Sequence, residues 1–555
     1  MSVRRCAAIL SDQRTILRGE PRGQGTEAPY YGLADGPGEV RIKRLDLAES
    51  DGPHSRRTSL FHLVHCTDIH LVDVESPGRI EFVQRQYGLE ALGLLVPAYR
   101  PQELLNRHAW EAMVRSINTL DPSAHTGAPV QLVICSGDLT DNAQRNELDW
   151  FVRTMEGGTV IPRSGGTKYE GVGTLDWDDP HYWHPDEIPD AYKERWGFPA
   201  LPGLQDEAIR PFSAGGCALP WLVAYGNHDA LVNGAALRTE AYEEILVGSR
   251  KAGRFPPDFD PLDHLGLYIE NPERFLTGPG RTVAPDPARR ALSRRDFVKA
   301  HLLAGGRPAG HGFEEENREE GIAYYVWDAA APMRVIVLDT TTPGGHYQGS
   351  VGARQLAWLE RRLAEVHSSF FAADGRRIRT GNEDRLVVLI SHHGLLTINN
   401  PLVPYDPRDP ADDDLPRSLG PELEALLHRF PNVILWLNGH IHRNLILPRP
   451  DPARRAAGFW EVTTSSLLDW PCQARLVEIV RNADGTISVL CTMIDHDAPL
   501  SPEGGEGVAR LASIHRELAA NDPHCGTGSG RQGGPADRTV ELLIPAPIRL
   551  ERLTV

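Results

Sequence analysis

The chain has 555 residues, 41% hydrophobic and 24% charged, with a mean hydropathy of −0.34, enough for one large core with insertions or for two or three domains. Its formal charge of −17 and pI near 5.7 argue against nucleic acid or an anionic membrane surface as the main partner. No apolar run reaches the roughly 18 residues of a transmembrane helix, and the seven cysteines are scattered without a CxxC pair, which fits a reducing compartment and neither a disulfide framework nor a zinc ribbon.

The N-terminus, "MSVRRCAAILSDQRT", carries a twin arginine, but its apolar run stops at Ser11, too early for a signal sequence, so the expected residence is cytoplasmic. Residues 1–58 read as a loop-rich lead-in. From there, short apolar runs ending in polar clusters recur: "LFHLVHCTDIH" (60–70), "PVQLVICSGDLTDN" (129–142), "PWLVAYGNHD" (220–229), "MRVIVLDTTT" (333–342), "RLVVLISHHG" (385–394) and "NVILWLNGHIHRN" (432–444). Near-continuous Val/Ile/Leu runs of this length predict strands buried on both faces. Helical patterns at 103–120, 353–367 and 421–430 alternate with them, giving an α/β fold.

Two long stretches interrupt the alternation, 150–217 and 231–325, each after a motif-bearing strand end, where α/β folds place substrate-shaping loops. Within the second, "LSRRDFVKAHLL" (292–303) imitates a twin-arginine signal but predicts an ordinary helix capped by Ser293. The acidic run 406–416 reads as a solvated loop. A main domain over 59–500, with the two insertions inside it, is followed by a C-terminal part (501–555): a helix near 506–521, a Gly-rich linker at 525–535, and a last short strand.

The polar strand ends carry metal-ligand residue types. Asp68 and His70 are two apart, as are His440 and His442, so on an extended strand each pair faces one side. Asp138 follows Gly137 and Asn227 follows Gly226, where a glycine lets the backbone turn sharply and approach an ion. His392 and His393 close a fifth strand. Mixed imidazole, carboxylate and amide ligands suit Mn, Fe or Zn better than Ca or Mg, and about seven donors fit two ions sharing one bridging carboxylate.

The series "DIH … GDLTD … GNHD … HH … GHIH", spanning 66–442, resembles the signature blocks of the calcineurin-like metallophosphoesterase superfamily, in its long, insertion-bearing bacterial form. The resemblance implies a four-layer α/β/β/α sandwich with large loop insertions. It implies two divalent or transition metal ions, Asp68, His70 and His442 holding one, Asn227, His392 and His440 the other, and Asp138 bridging. It implies a metal-bridging hydroxide as nucleophile, His228 at the leaving oxygen, and the Asp141 carboxylate orienting His228. Where many relatives have His-x-Pro the chain has His392-His393-Gly394, so His393 competes with His392 as ligand. Asp229 is expected to tie down its own turn, and His346, in "DTTTPGGHYQGS", is a candidate for the substrate phosphate.

The implied activity is hydrolysis of a small phosphoester, leaning to a cyclic-nucleotide-type phosphodiesterase. A phosphomonoesterase or nucleotidase is the alternative, and a non-catalytic binding scaffold of the same fold the remaining one. No nucleic-acid or membrane partner is indicated, and the sequence leaves the oligomeric state open.

Overall fold

The computed structural model describes residues 8–48, 57–89, 92–93, 95–177, 179–257, 259–260, 265–329, 332–402 and 415–548. Two mixed sheets stack face to face. Across the first run Ile42–Arg44, Val540–Pro545, Thr486–Asp495, Gln473–Asn482, Arg57–Cys66, Leu132–Cys135 and Trp221–Val223, with Ile9–Leu10 beside Thr486–Asp495. The last three are mutually parallel. Across the second run Tyr325–Asp328, Met333–Val337, Leu386–Ile390, Val433–Asn438, Phe459–Thr463 and Leu445–Arg449, the central four parallel and both edges antiparallel.

The continuous apolar runs follow from this layering, because side chains alternate between faces along a strand. In the second sheet Val335, Val337, Val388, Ile390, Leu435 and Leu437 join the core shared with the first sheet. Their neighbours Ile336, Val387, Leu389 and Trp436 face outward, onto Leu359 and Leu363 of the Ala353–Ala364 helix and Leu423 and Leu427 of the Gly420–Leu427 helix. Helices Asn106–Ile117 and Arg145–Glu156 cover the first sheet with Trp110, Met113, Val114, Leu148 and Phe151. The order helix, sheet, sheet, helix is the four-layer α/β/β/α sandwich. Burying each such aliphatic side chain contributes about 1.5–3 kcal/mol, which both faces of these strands share.

The insertions are built from short pieces around their own apolar clusters. Tyr99, Tyr182, Trp183, Tyr192 and Phe198 pack with Leu511, Ile514 and Leu518 of the Gly507–Asn521 helix, while Phe82, Tyr242, Tyr268 and Phe275 make a second cluster. The mid-chain twin arginine lies in an ordinary helix, Arg294–Leu303, whose Ser293 accepts from the Asp296 N–H.

Two readings need correction. The lead-in 1–58 holds strands where it is described: Arg14–Gly23 pairs antiparallel with Tyr30–Pro37. Its alternation is masked because few of its residues are buried, Ile16 and Leu33 packing against Trp470 and Ala520. The Gly-rich stretch 525–535 is not a free linker, since Arg531 O accepts from Asn444 N at 3.0 Å and Gln532 O from Asn444 Nδ2 at 3.1 Å. Residues 406–414 of the acidic run fall outside the described residues. No described helix is long and apolar enough to cross a membrane.

Candidate metal centre

All the metal-ligand candidates lie just beyond the carboxyl ends of parallel strands, where α/β sheets place their sites. The local geometry differs from the extended strand expected. The strands end at Cys66 and Asn438, and Asp68, His70, Asp138, His440 and His442 all have φ between 46° and 70°. Asp68 and His70 face one centre through left-handed backbone. Each such residue costs about 1–2 kcal/mol, and cross-loop bonds hold the conformation: Asp68 N to Gly137 O at 3.1 Å, His70 N to Asp138 O at 2.9 Å, and His440 N to Asp68 Oδ2 at 2.9 Å. Gly226 and Gly439 are required by close approach. A Cβ at Gly226 would collide with Asp138 Oδ1 and N, and one at Gly439 with Thr67 Oγ1 and Asp68 Oδ2.

The side chains converge. His70 Nε2 is 3.1 Å from His442 Nε2, and His442 Nε2 is 3.2 Å from Asp68 Oδ1. Asp138 Oδ2 lies 3.6 Å from His70 Nε2 and 3.1 Å from His392 Nε2. Asp68, His70 and His442 form one group whose ligand atoms all lie within 4.8 Å, and Asp68, Asp138 and His392 form another. Two buried atoms, Asn227 Oδ1 and His392 Nε2, have no hydrogen-bond partner. His392 Nε2 is thus near the Asp138 carboxylate without being aligned to donate to it. A buried polar atom without a partner is costly, and the free lone pairs of the Asn227 amide oxygen and an unprotonated His392 Nε2 are what a cation relieves.

The opposite nitrogens explain the ring orientations. His442 Nδ1 donates to Asp469 Oδ2 at 2.6 Å, His70 Nδ1 to Asp141 Oδ1 at 3.2 Å, and His392 Nδ1 to Ser136 O at 3.1 Å. Each acceptor fixes the proton on Nδ1 and leaves Nε2 facing the centre. His393 differs: Nδ1 bonds Thr340 Oγ1 and Nε2 bonds Tyr347 O, both at 2.9 Å. Both its nitrogens bond the protein, whereas His392 Nε2 has no hydrogen-bond partner, although His393 also lies with His392 and His440 in a third group whose ligand atoms are within 4.8 Å. His440 lies between the His393 and Tyr347 rings, at centroid distances of 4.3 and 6.0 Å.

The pocket favours positive charge. Burial alone would lower the His70 pKa, but Asp141, Asp68 and Asp138 outweigh it and raise it to about 10. At His392 burial is outweighed by Asp138, giving about 9. Although burial works against it, Asp138 is held below the usual carboxylate range by His392 and His228, and Asp141 by Arg79 and His70. His228 goes the other way, since burial brings it down to about 4 against the pull of Asp138.

The His228 side chain is 25% exposed against 2% for His70 and none for His392, so it is open to a ligand in the cavity. Its Nδ1 donates to the Asp141 backbone carbonyl at 2.6 Å, while the Asp141 carboxylate is 3.9 Å away. That corrects the expected pairing. The carboxylate instead takes His70 Nδ1 and, at 2.5 Å, Arg79 Nη1. Asp229 ties the turn to its neighbour, Oδ1 accepting from the N–H groups of Leu139 and Thr140 and Oδ2 from that of Gly226.

A cavity of about 270 Å³ opens over these residues. Its lining includes His70, Asp138, Asn227, His228, His440 and His442, with Arg79, Arg100 and Arg531, Tyr347 and Gln348, and an apolar wall of Leu95, Val96, Pro97 and Ala98. His346 is not part of the lining. Its Nδ1 accepts from Gln348 N at 3.3 Å, and at φ 72° it turns the chain so that Tyr347 faces the cavity. Sequence reading missed Asp469, the three arginines and Tyr347. Asp469 is a single acid after "TTSSLL", and nothing local marks it as the partner of a histidine 27 residues away.

No family model matches the chain, and no curated protein matches it. Among solved structures it is similar to a dimetal phosphatase from Danio rerio, at 12% identity and a TM-score of 0.33, over 79% of this chain and 100% of that one. At that identity and score, the likeness says nothing about what this chain does.

Proposed function

We propose that the chain is a two-metal hydrolase of small phosphoric esters. Asp68, His70 and His442 would hold one ion, Asn227, His392 and His440 the other, and Asp138 would be shared. The observation that carries this reading is the pair of buried, unpartnered ligand atoms, Asn227 Oδ1 and His392 Nε2, beside the Asp68–Asp138 carboxylates. The donor set of imidazoles, carboxylates and one amide fits Mn, Fe or Zn. When bound, two such cations neutralise charge on a phosphoryl group and acidify water at neutral pH.

The chain's own residues supply the rest. Asp469, Asp141 and the Ser136 carbonyl keep the three histidines in the tautomer that presents Nε2. His228 commits Nδ1 to Asp141 O, so its Nε2 is the atom that exchanges a proton with the leaving oxygen. Of the ester classes we favour the diester: it brings an organic group on each side of phosphorus, and the cavity offers an apolar wall of Leu95, Val96, Pro97 and Ala98. The monoesterase reading is the alternative.

The test is metal content and turnover together. Purified protein should hold close to two transition-metal ions per chain. With Mn added it should cleave bis-p-nitrophenyl phosphate faster than p-nitrophenyl phosphate. A folded chain that binds no metal overturns the reading, and the reverse substrate order overturns the diester preference.

A further inference from the structure

Beside the candidate metal centre the cavity lining carries two guanidinium groups, Arg100 and Arg531, which share the Asp469 carboxylate, with the buried Asp522 carboxyl also acting on both. Asp469 is one carboxylate serving two guanidinium groups. Its Oδ1 accepts from Arg100 Nε at 2.6 Å, its Oδ2 accepts from His442 Nδ1 at 2.6 Å and Arg100 Nη2 at 3.4 Å, and Arg531 Nη1 forms an ion pair with Oδ2 at 3.0 Å. Arg100 is 7% exposed and spends its fork on that carboxylate and on Pro97 O. Arg531 is different. Its side chain is 21% exposed, and beyond the single contact to Asp469 it reaches the Cys525 Sγ at 3.5 Å. A thiol is a weak acceptor, and burial together with Asp469 pushes this one up to about 12, so it supplies no counter-charge.

The Arg531 main chain is fixed. Asn444, two residues beyond His442, donates its N–H to Arg531 O and its side-chain amide to Gln532 O. The Asn444 amide oxygen accepts in turn from Ser465 N and Arg475 Nη2, at 3.0 and 2.9 Å. Gly533, at φ 74°, passes so close to the Asn444 carbonyl that a Cβ there would strike it. The Gly-rich stretch is therefore moulded onto the loop that carries His442, and it sets one arginine at a defined place in the cavity.

We propose that Arg531, backed by Arg100, forms an anion subsite beside the metal centre, and that the substrate accordingly carries a second anionic group, a carboxylate or a further phosphoryl, next to the ester that reacts. This deepens the hydrolase reading and rests on it for the place of the reacting ester. The Asp469 carboxylate and the His442 ring separate the Arg531 guanidinium from His442 Nε2. Arg531 lines the same cavity as His70, His228 and His442, so the second anionic group would lie on the Arg531 side of an ester held at the histidines. A planar guanidinium with unspent N–H donors matches a carboxylate or phosphoryl group in geometry as well as charge.

The test is calorimetric binding of three phosphonates to the Mn-loaded protein: methylphosphonate, phosphonoacetate, and methylenediphosphonate corrected for its chelation of Mn. The wild type should bind phosphonoacetate or the diphosphonate about tenfold tighter than methylphosphonate, the size of one charge-assisted hydrogen bond. Whichever of the two shows the preference identifies the second group. Arg531→Gln should erase the preference while methylphosphonate affinity and metal content stay within about twofold of wild type, and R531K should restore part of it. Equal wild-type affinities overturn the proposal. So does an R531Q protein that loses methylphosphonate and phosphonoacetate affinity alike, because Arg531 then acts only through Asp469 and His442. Should R531Q not fold, the wild-type and R531K comparison decides. A wild type that shows the preference and turns over no phosphoester sinks the hydrolase reading and leaves the subsite standing.

Discussion

Asp469→Asn is the sharpest test of how the site is held. The substitution keeps the shape and removes one negative charge from a fully buried position. It does so where two arginines and one imidazole N–H converge on two oxygens. One amide oxygen can serve only part of that demand, and the new amide N–H groups face donors. Leaving buried cations without their partner costs about 3–5 kcal/mol, enough to lower the melting temperature by several degrees. The second effect is local. His442 loses the acceptor that fixes its tautomer, and loss of such a partner typically lowers metal affinity or activity about 10–100-fold. The loss should fall on the ion proposed for Asp68, His70 and His442 and spare the one proposed for Asn227, His392 and His440. The assay is metal content by mass spectrometry across a chelator series, with a melting curve at each point. D469N should retain about one ion at chelator levels where the wild type keeps two. If both ions leave together, or neither is weakened, the division of ligands between two ions is wrong.

Asp138→Asn should lose both ions and all turnover; an active, metal-loaded D138N rules out a shared carboxylate. His228→Ala should keep both ions while kcat falls about 100- to 10,000-fold, the range for a positioned proton donor; unchanged kcat would remove His228 from the chemistry. Gly439→Ala should displace Asp68 and weaken metal binding, read as a melting curve that no longer responds to chelator. A pH effect is expected far from the centre, at Glu111. Burial raises its carboxyl from 4.5 to about 7, so between those values the native state holds a proton that the unfolded chain has lost. Stability therefore falls as pH rises through that window and is flat above it. Glu111→Gln keeps an acceptor for Gly215 N and removes the penalty. Denaturant curves should show E111Q more stable by up to roughly 3 kcal/mol at pH 8 and level with wild type at pH 4.5; a constant difference at both would show that Glu111 does not titrate on unfolding.

The sandwich was legible because its central strands are buried on both faces. Runs such as Val387–Ile390 and Val433–Leu437 contain almost no polar residue, and nothing else of that length needs such composition. The convergence of Asp68, His70, Asp138, Asn227, His392, His440 and His442 was legible for a related reason, since polar residues directly after buried strands lie at one edge of the sheet. The N-terminal hairpin was not, because Arg14–Gly23 buries only Thr15 and Ile16 and its register comes from pairing with Tyr30–Pro37. Nor was the backbone at the site. Left-handed φ at Asp68, His70, His440 and His442 goes against their local preference and persists only through bonds from loops tens or hundreds of residues away.

The same reasoning separates what holds a ligand atom from what aims it. Each strand end specifies a ligand locally, by its position after an apolar run. The groups that aim the rings come from elsewhere: Asp469 for His442, Asp141 for His70, and Ser136 for His392. Arg531 comes 89 residues after His442 and reaches it only because Asn444 captures the Gly-rich stretch. Glycines there leave the chain free to follow the His442 loop, and their freedom is spent on that contact. A stretch whose composition reads as slack thus sets the charge at one side of the cavity, and Asn444→Ala should weaken phosphonoacetate binding as R531Q does, without touching a ligand to either proposed ion.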